Sequence, residues 1–571
     1  MQSADGAVTI TFNGEIYNYL ELREELAEKG HQFRSHSDTE VLLASYREWG
    51  RAFVERLSGM FAFALWDEPR RRLVLARDRV GKKPLFYRTD SSGMSFASEP
   101  KAFLAEPDFV ARADLQGVSR YLTFQYVPTP GSAFAGVQKL PPGHVMVVED
   151  GRVALTRYWA LSYAHQPPIT ESDALEQLDH QLREAVRRRL ISDVPLGAFL
   201  SGGIDSGLVV SYMAELDTTV RTFSIGFSER EYNELPAARL VAERYGTTHV
   251  EFVVEPHAVD LLPKLVWHYG EPFADSSALP TYVLSELTRQ HVTVALNGDG
   301  GDESFIGYDR YLGIDLAQRL AHVPAPLRRV AAGGARQLER ATRHPVARRL
   351  RRFLEQSTAP PRRQYGSWMM HFEPRLRNEL ITPEFRAATV DDADAVVDRL
   401  FDSSDAPTLV EQSVDSDVRS YLPDDLLVKV DIATMAHGLE GRSPFLDHEL
   451  MTFAARLPLS LKLRGRTKKH LLKQLAARRL PPALLTLPKK GFGVPIDHWF
   501  KTELGVFAKD VLLGGRAQSR GYFRRAVVER LFAEHETGAR RWHLQLWNLL
   551  MLELWFQMFI DVRPHGAPPR A

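Results

Sequence analysis

Along the first 160 residues the apolar positions come in short alternating runs. Val8, Ile10 and Phe12 alternate with Thr9 and Thr11, which predicts a strand. Leu20, Leu22 and Leu26 then mark one side of a helix closed by Gly30. A second helix opens at His36-Ser37-Asp38-Thr39-Glu40, with Asp38 or Thr39 as its cap. Short strands follow over 59–66, 72–78, 84–87 and 94–97, giving a β-rich α+β domain. Beyond a connection rich in proline (Pro128, Pro130, Pro141, Pro142, Pro167, Pro168) the period changes. Thr170 and Asp173 stand at capping-box spacing, and Leu175, Leu178, Leu182, Val186 and Leu190 share a helix face. Strands over 194–200, 220–227, 249–254 and 291–296 alternate with helices, notably 206–216 and 234–245. That order predicts a parallel, doubly wound sheet with ligands at the C-terminal strand ends.

Two loops fall at such ends. The run Val194–Leu200 leads into Ser201-Gly202-Gly203-Ile204-Asp205-Ser206 and then a helix. Strand, glycine turn and helix aim backbone N–H groups at an anion, although a tight structural turn has the same residues. The full string S-G-G-x-D-S resembles the pyrophosphate-binding loop of ATP-pyrophosphatase enzymes; it is not a Walker loop, because no Gly-Lys-Ser/Thr follows. Asp205 suits such a loop if Mg²⁺ lies between it and the phosphates. The second loop is Asn297-Gly298-Asp299-Gly300-Gly301-Asp302-Glu303. The expectation is that Asp205 and Asp302 bind Mg²⁺ and that Asp299 faces a reacting carboxylate; the other reading is an acidic exposed turn.

Composition narrows the classes. A chain of 571 residues needs more than one core. Lys+Arg and Asp+Glu are both 72, which argues against a generic nucleic-acid binder. The arginine-rich stretch 336–352 lacks interleaved aromatics and reads as a solvated helix face. No cysteine is present, so disulfides, thiolate metal sites and thiol nucleophiles are excluded from these residues. The apolar stretch 544–560 is broken by Gln545, Asn548, Glu553 and Gln557, a core helix and not a membrane span. With no signal pattern, a cytoplasmic protein is expected. The tail, 561–571, reads as disordered.

Further motifs extend the resemblance. Asn13-Gly14-Glu15-Ile16-Tyr17-Asn18, Ser37-Asp38-Thr39-Glu40, 57–67 and 76–87 resemble the glutaminase domain of class II amidotransferases. Residues 297–303, 421–431, 438–448, 467–473 and 488–495 resemble asparagine synthetases, 421–431 and 438–448 as C-terminal helical segments. The family resemblance implies a truncated α+β glutaminase-like (Ntn-type) sandwich over 1–160. An ATP-pyrophosphatase domain of α/β class, with a helical C-terminal part, is implied over 165–560. It implies ATP at Leu200, Ser201, Gly202, Gly203, Asp205, Ser206, Ile225, Asn297 and Gly298, with Asp299 and Lys468 catalytic. From the residues alone Lys468 reads as a surface lysine. Glutamine is implied at Asn13, Gly14 and Asp38; without the resemblance these are a turn and a helix cap. Lys489 and Lys490 are read as covering the site. The family's nucleophile is an N-terminal cysteine acting through its own amine, and this chain has none. As written, then, the chain is not expected to hydrolyse glutamine, and a start inside a longer reading frame is the favoured explanation. The implied reaction converts aspartate, through an acyl-adenylate, to asparagine, with nitrogen from glutamine or ammonia. Alternatives are an amide or lactam synthetase for another carboxylate and a non-catalytic remnant. Partners are small molecules, without nucleic acid or membrane, in a possible homodimer.

Overall fold

The computed structural model describes residues 1–561 apart from 92, 218, 228–232, 255–257, 343, 358, 391–392 and 488–492. Lys489, Lys490 and the tail beyond 561 therefore lie outside the described residues.

The first domain contains strands β1 (Val8–Ile16), β2 (Gly59–Asp67), β3 (Arg72–Arg77), β4 (Phe86–Asp90), β5 (Gly93–Ala97), β6 (Val137–Lys139), β7 (His144–Glu149) and β8 (Arg152–Arg157). They form an antiparallel sheet β1-β2-β3-β7-β8 and a smaller one β5-β4-β6. The period of two sorts side chains between the faces. Phe61, Phe63, Leu65, Val74, Val145 and Val147 pack against the helices Tyr19–Glu28 and Asp38–Trp49. Their neighbours Ala62, Ala64, Leu75 and Met146 meet Leu85, Tyr87 and Leu140 on the other side. The result is a helix–sheet–sheet sandwich.

Three local readings change. Leu22 and Leu26 are buried, but Leu20 is 44% exposed, because it starts the helix off its core stripe. The second helix is capped by Ser37, whose Oγ accepts the Thr39 N–H at 3.1 Å, and not by Asp38 or Thr39. Asn13 and Gly14 are not a turn; both lie in β1, opposite Ala62 and Phe61.

The second domain is built on a parallel sheet of β9 (Leu196–Phe199), β10 (Arg221–Gly226), β11 (Thr248–Val253), β12 (Val294–Leu296) and β13 (Glu440–Arg442). Its order is β11-β10-β9-β12-β13, every neighbour parallel. The helix Glu171–Arg189 starts at Thr170, whose Oγ1 accepts the Asp173 N–H at 3.2 Å, and buries Leu175, Leu178, Leu182 and Val186 against the helix Ile204–Leu216. The strand expected over 291–296 begins only at Val294; Thr293 N instead donates to Pro195 O at 2.9 Å, the start of the ladder with β9. Residues 438–448 are helical only in part: Pro444–Leu446 is a short 3-10 turn and His448 opens the next helix, but 440–442 become β13, because β12 offers an open edge on which Asn297 N can donate to Arg442 O at 2.9 Å.

The rest of the chain is helical. His543–Trp555 is a core helix, with Trp547 and Trp555 buried and Glu553 held by Arg520 at 3.0 Å. Among the described residues no helix is long and apolar enough to cross a membrane. Helices Ala325–Thr342 and Pro345–Gln356 form the arginine-rich hairpin, where Arg336 and Arg351 pair with Glu355 at 2.8 and 2.5 Å. The two domains are joined by the buried pair Lys83–Asp431 at 2.7 Å and by Gln125, which donates to Asp425 at 2.8 Å.

Candidate active site at the sheet crossover

From β9 the chain steps outward to β10 and β11, and on the other side to β12 and β13, so the strand order reverses between β9 and β12. In open parallel sheets the crevice at such a reversal is where ligands bind. Both glycine loops leave the sheet there: 200–206 follows β9 and 297–303 follows β12. They line one cleft of about 860 Å³, within the range of ligand sites.

The loops interlock. A Cβ on Gly298 would stand 2.8 Å from Ser206 N and 2.9 Å from Asp205 Cβ, and one on Gly301 would stand 2.8 Å from Asp205 Cγ. These glycines therefore serve the packing of loop on loop as well as any ligand. In the first loop Ser201 Oγ accepts the Gly203 N–H at 3.2 Å and lies 2.8 Å from Ser206 Oγ, tying the turn to the first turn of the helix Ile204–Leu216. In the second, Asn297 Oδ1 accepts the Asp299 N–H at 3.2 Å. Asn297 Nδ2 and Asp299 Oδ2 are covered and make no hydrogen bond among the described residues. Ile225, on β10, is buried beside the cleft, and Leu200 is held to β10 through its N–H to Phe223 O at 2.8 Å.

Asp205 and Asp302 converge on one cationic atom. Lys469 Nζ lies 2.5 Å from Asp205 Oδ2 and 2.6 Å from Asp302 Oδ1. Burial works to lower the Lys469 pKa, but the two carboxylates hold it above its ordinary value. Lys469 reaches this point because its backbone is left-handed (φ 53°) just before the helix His470–Arg479, which swings its side chain inward. Gly307 makes room: a Cβ there would fall on the Asp302 carboxylate. Lys468 also borders the cleft, but its Nζ donates to Gly307 O at 2.8 Å and to Asp309 Oδ1 at 2.5 Å. Lys469, and not Lys468, is the lysine the structure brings to the two carboxylates; sequence reasoning passed over it, one position from the lysine it chose. Two adjacent lysines ahead of a helix give no periodic signal to separate them.

Burial raises the pKa of Asp299, opposed by Lys82 and Lys429. It also raises Glu303 to about 7, with Asp302 adding to the effect. Lys82 belongs to the first domain. Its amine is buried without a hydrogen-bond partner among the described residues, and burial lowers its pKa against the pull of Asp431 and Asp299. It lines a small cavity of about 30 Å³ between the domains, with Arg77, Asp424 and Asp431. That volume is about one water molecule.

In the first domain Asn13, Gly14 and Asp38 come together around the end of β1. Asp38 Oδ2 accepts the Ile16 N–H at 3.1 Å, and Asn13 Nδ2 donates to Ser98 Oγ at 3.3 Å. Gly14 has φ 152°, and a Cβ there would lie 2.8 Å from Phe61 Cα, so only glycine fits. Burial raises the Asp38 pKa against four hydrogen bonds that lower it.

Comparison with known families agrees with this layout. The model described as asparagine synthase matches residues 177–557, and that of a glutamine amidotransferase domain matches 1–159. Glutamine-hydrolyzing asparagine synthetase 1 of Bacillus subtilis is 34% identical, over 98% of this chain and 87% of the relative. Asparagine synthetase 3 of the same organism is 30% identical, over 86% and 78%. The amidase chyE of Penicillium rubens is 27% identical, over 99% and 88%.

Proposed function

The chain belongs to the asparagine synthase family, and from that premise we propose that it is an ATP-dependent carbon–nitrogen ligase converting aspartate to asparagine through an acyl-adenylate. The observation that carries this reading is the meeting of Asp205 and Asp302 on a single cationic atom, 2.5 and 2.6 Å away.

Two carboxylates that already share a cation supply the hard oxygen donors that Mg²⁺ prefers. Asp205 and Asp302 would hold Mg²⁺, which when bound neutralises phosphate charge. ATP would lie across 200–206 and 297–302, its base toward Ile225 and its phosphates toward the N-terminus of the helix Ile204–Leu216. The substrate carboxylate attacks the α-phosphorus, giving the acyl-adenylate and pyrophosphate. Lys469, with Lys468 at the rim, stabilises charge growing on the departing pyrophosphate and on the tetrahedral centre formed next. Asp299 faces the acyl carbon. Ammonia attacks that carbon, and AMP leaves as the amide forms; the proton shed by nitrogen goes to a nearby carboxylate or to water. The glutamine-binding assignment of Asn13, Gly14 and Asp38 and the domain limits 1–160 and 165–560 belong to the same reading.

A second reading, amide formation on another carboxylate, is favoured by the relative called an amidase, which aligns over 99% of this chain. Incubation with ATP, Mg²⁺, ammonium and a panel of carboxylic acids separates the two. Asparagine, AMP and pyrophosphate from aspartate support the first reading; an amide from a different acid supports the second. No amide with any acid overturns both.

A further inference from the structure

We propose that Asp497, His535 and His543 form a binding site for one divalent transition metal of the zinc class, separate from the nucleotide cleft. The three residues come from different helices, Ile496–Trp499, Arg525–Glu536 and His543–Trp555. Asp497 Oδ1 stands 3.4 Å from His543 Nδ1 and 3.8 Å from His535 Nε2, and all three atoms lie within 4.8 Å of one another. Each is buried, and none makes a hydrogen bond among the described residues. His535 is only 1% exposed.

The spacing is informative. A buried imidazole beside a carboxylate normally closes to about 2.7–3.2 Å and forms a hydrogen bond. Here the three atoms face one another and stop short of contact. Metal–ligand bonds of about 2.0–2.1 Å in a tetrahedron set neighbouring donors about 3.3–3.4 Å apart. Of the three separations, that from Asp497 to His543 has this length, that from Asp497 to His535 needs a closure of about half an ångström, and that between the two imidazole nitrogens lies within 4.8 Å. Two imidazole nitrogens and one carboxylate oxygen suit zinc, cobalt or nickel better than magnesium or calcium, which prefer oxygen alone. Three protein donors leave the fourth position to water. The second carboxylate oxygen, Asp497 Oδ2, is 3.9 Å from Arg541 Nε, whose side chain is 72% exposed and free to turn outward.

The proton on His535 also has to be placed. The Trp542 N–H donates to His535 Nδ1 at 3.2 Å, so neutral His535 carries its proton on Nε2. Metal binding at Nε2 would require that proton to move to Nδ1 and the Trp542 N–H, then facing another donor, to turn away. No net proton is released from His535. Trp542 lies next to the ligand His543, and its ring donates to Glu534 Oε2 at 2.7 Å, so its fluorescence is positioned to report loading. Asp497 follows the cleft-lining Gly493 by four residues in the sequence. A metal would tie that segment to the two longer helices.

The test uses the full chain, stripped with a chelator and titrated with Co²⁺ and then Zn²⁺. One Co²⁺ per chain is expected to produce visible d–d absorption and a change in tryptophan fluorescence. Zn²⁺ should displace it, with a rise in Tm, and Mg²⁺ should not compete. Asp497→Asn and His543→Gln, both at partly exposed positions, should each weaken Co²⁺ binding by at least about tenfold. No d–d absorption at equimolar Co²⁺, or titrations unchanged in both variants, would overturn the assignment.

Discussion

The crossover cleft and the cradle at the end of β1 are built in opposite ways. In the cleft, Asp205, Asp302 and Lys469 come from segments up to 264 residues apart and meet at one point. Each charge there depends on the others, since a buried ion without its partner is costly. In the cradle, Asn13 and Gly14 share a strand, and Asp38 is satisfied by the nearby Ile16 N–H. Its shape is therefore set by the core: Gly14 fits because β2 passes directly behind it. Bond-making chemistry is a separate matter, and no cysteine is present in these 571 residues. The comparison teaches that a shape can be fixed by packing alone, whereas a buried charge cluster needs every member. Arg442 joins the two regions. It lies 3.4 Å from Glu15 on β1, and its carbonyl accepts the Asn297 N–H at 2.9 Å.

The strongest way to break this contrast is to remove a charge from the cleft. Asp302→Asn or Lys469→Met should lower carboxylate-dependent pyrophosphate exchange by about 10²–10³-fold, with circular dichroism unchanged; loss of less than about fivefold in both would dissolve the cluster argument. A smaller effect is expected at Glu303. Folded, it keeps its proton to about pH 7; unfolded, it releases it near 4.5. Folding therefore binds a proton in that window, and stability falls as pH rises through it, by at most about 3.4 kcal/mol. Glu303→Gln should flatten the slope in metal-free denaturant titrations at pH 5 and pH 8. A slope unchanged by the substitution would contradict the assignment. Gly307→Ala presses a methyl onto the Asp302 carboxylate and should cost about 1–3 kcal/mol, read from the urea midpoint. The smallest effect sharpens the comparison from the other side. Asp38→Asn should leave ammonium-driven amide formation within about twofold of the parent chain, since Asp38 contacts the first domain only. A larger fall would tie the cradle to the cleft chemistry.

Much of this was legible because the patterns were strong. Apolar runs ending in Ser-Gly-Gly and Asn-Gly-Asp located both loops at the C-terminal ends of β9 and β12. Thr170 announced its helix through spacing alone. What failed depended on tertiary context. β13 has three residues and no periodicity of its own, and it exists because β12 had an edge to pair. Lys469 differs from Lys468 by a left-handed backbone that no pattern encodes. Lys82 reaches toward Asp299 only because the first domain docks where it does. The Asp497, His535 and His543 cluster spans 47 residues with irregular spacing and carried no motif.

The central claim is that the crossover cleft activates a carboxylate by adenylation. Aspartate labelled with ¹⁸O in its side-chain carboxylate, incubated with the chain, ATP, Mg²⁺ and ammonium, tests it most directly. The account predicts one labelled oxygen in the AMP released, lost together with product formation in Asp302→Asn. Label appearing in inorganic phosphate, or amide forming without label in AMP, would contradict it.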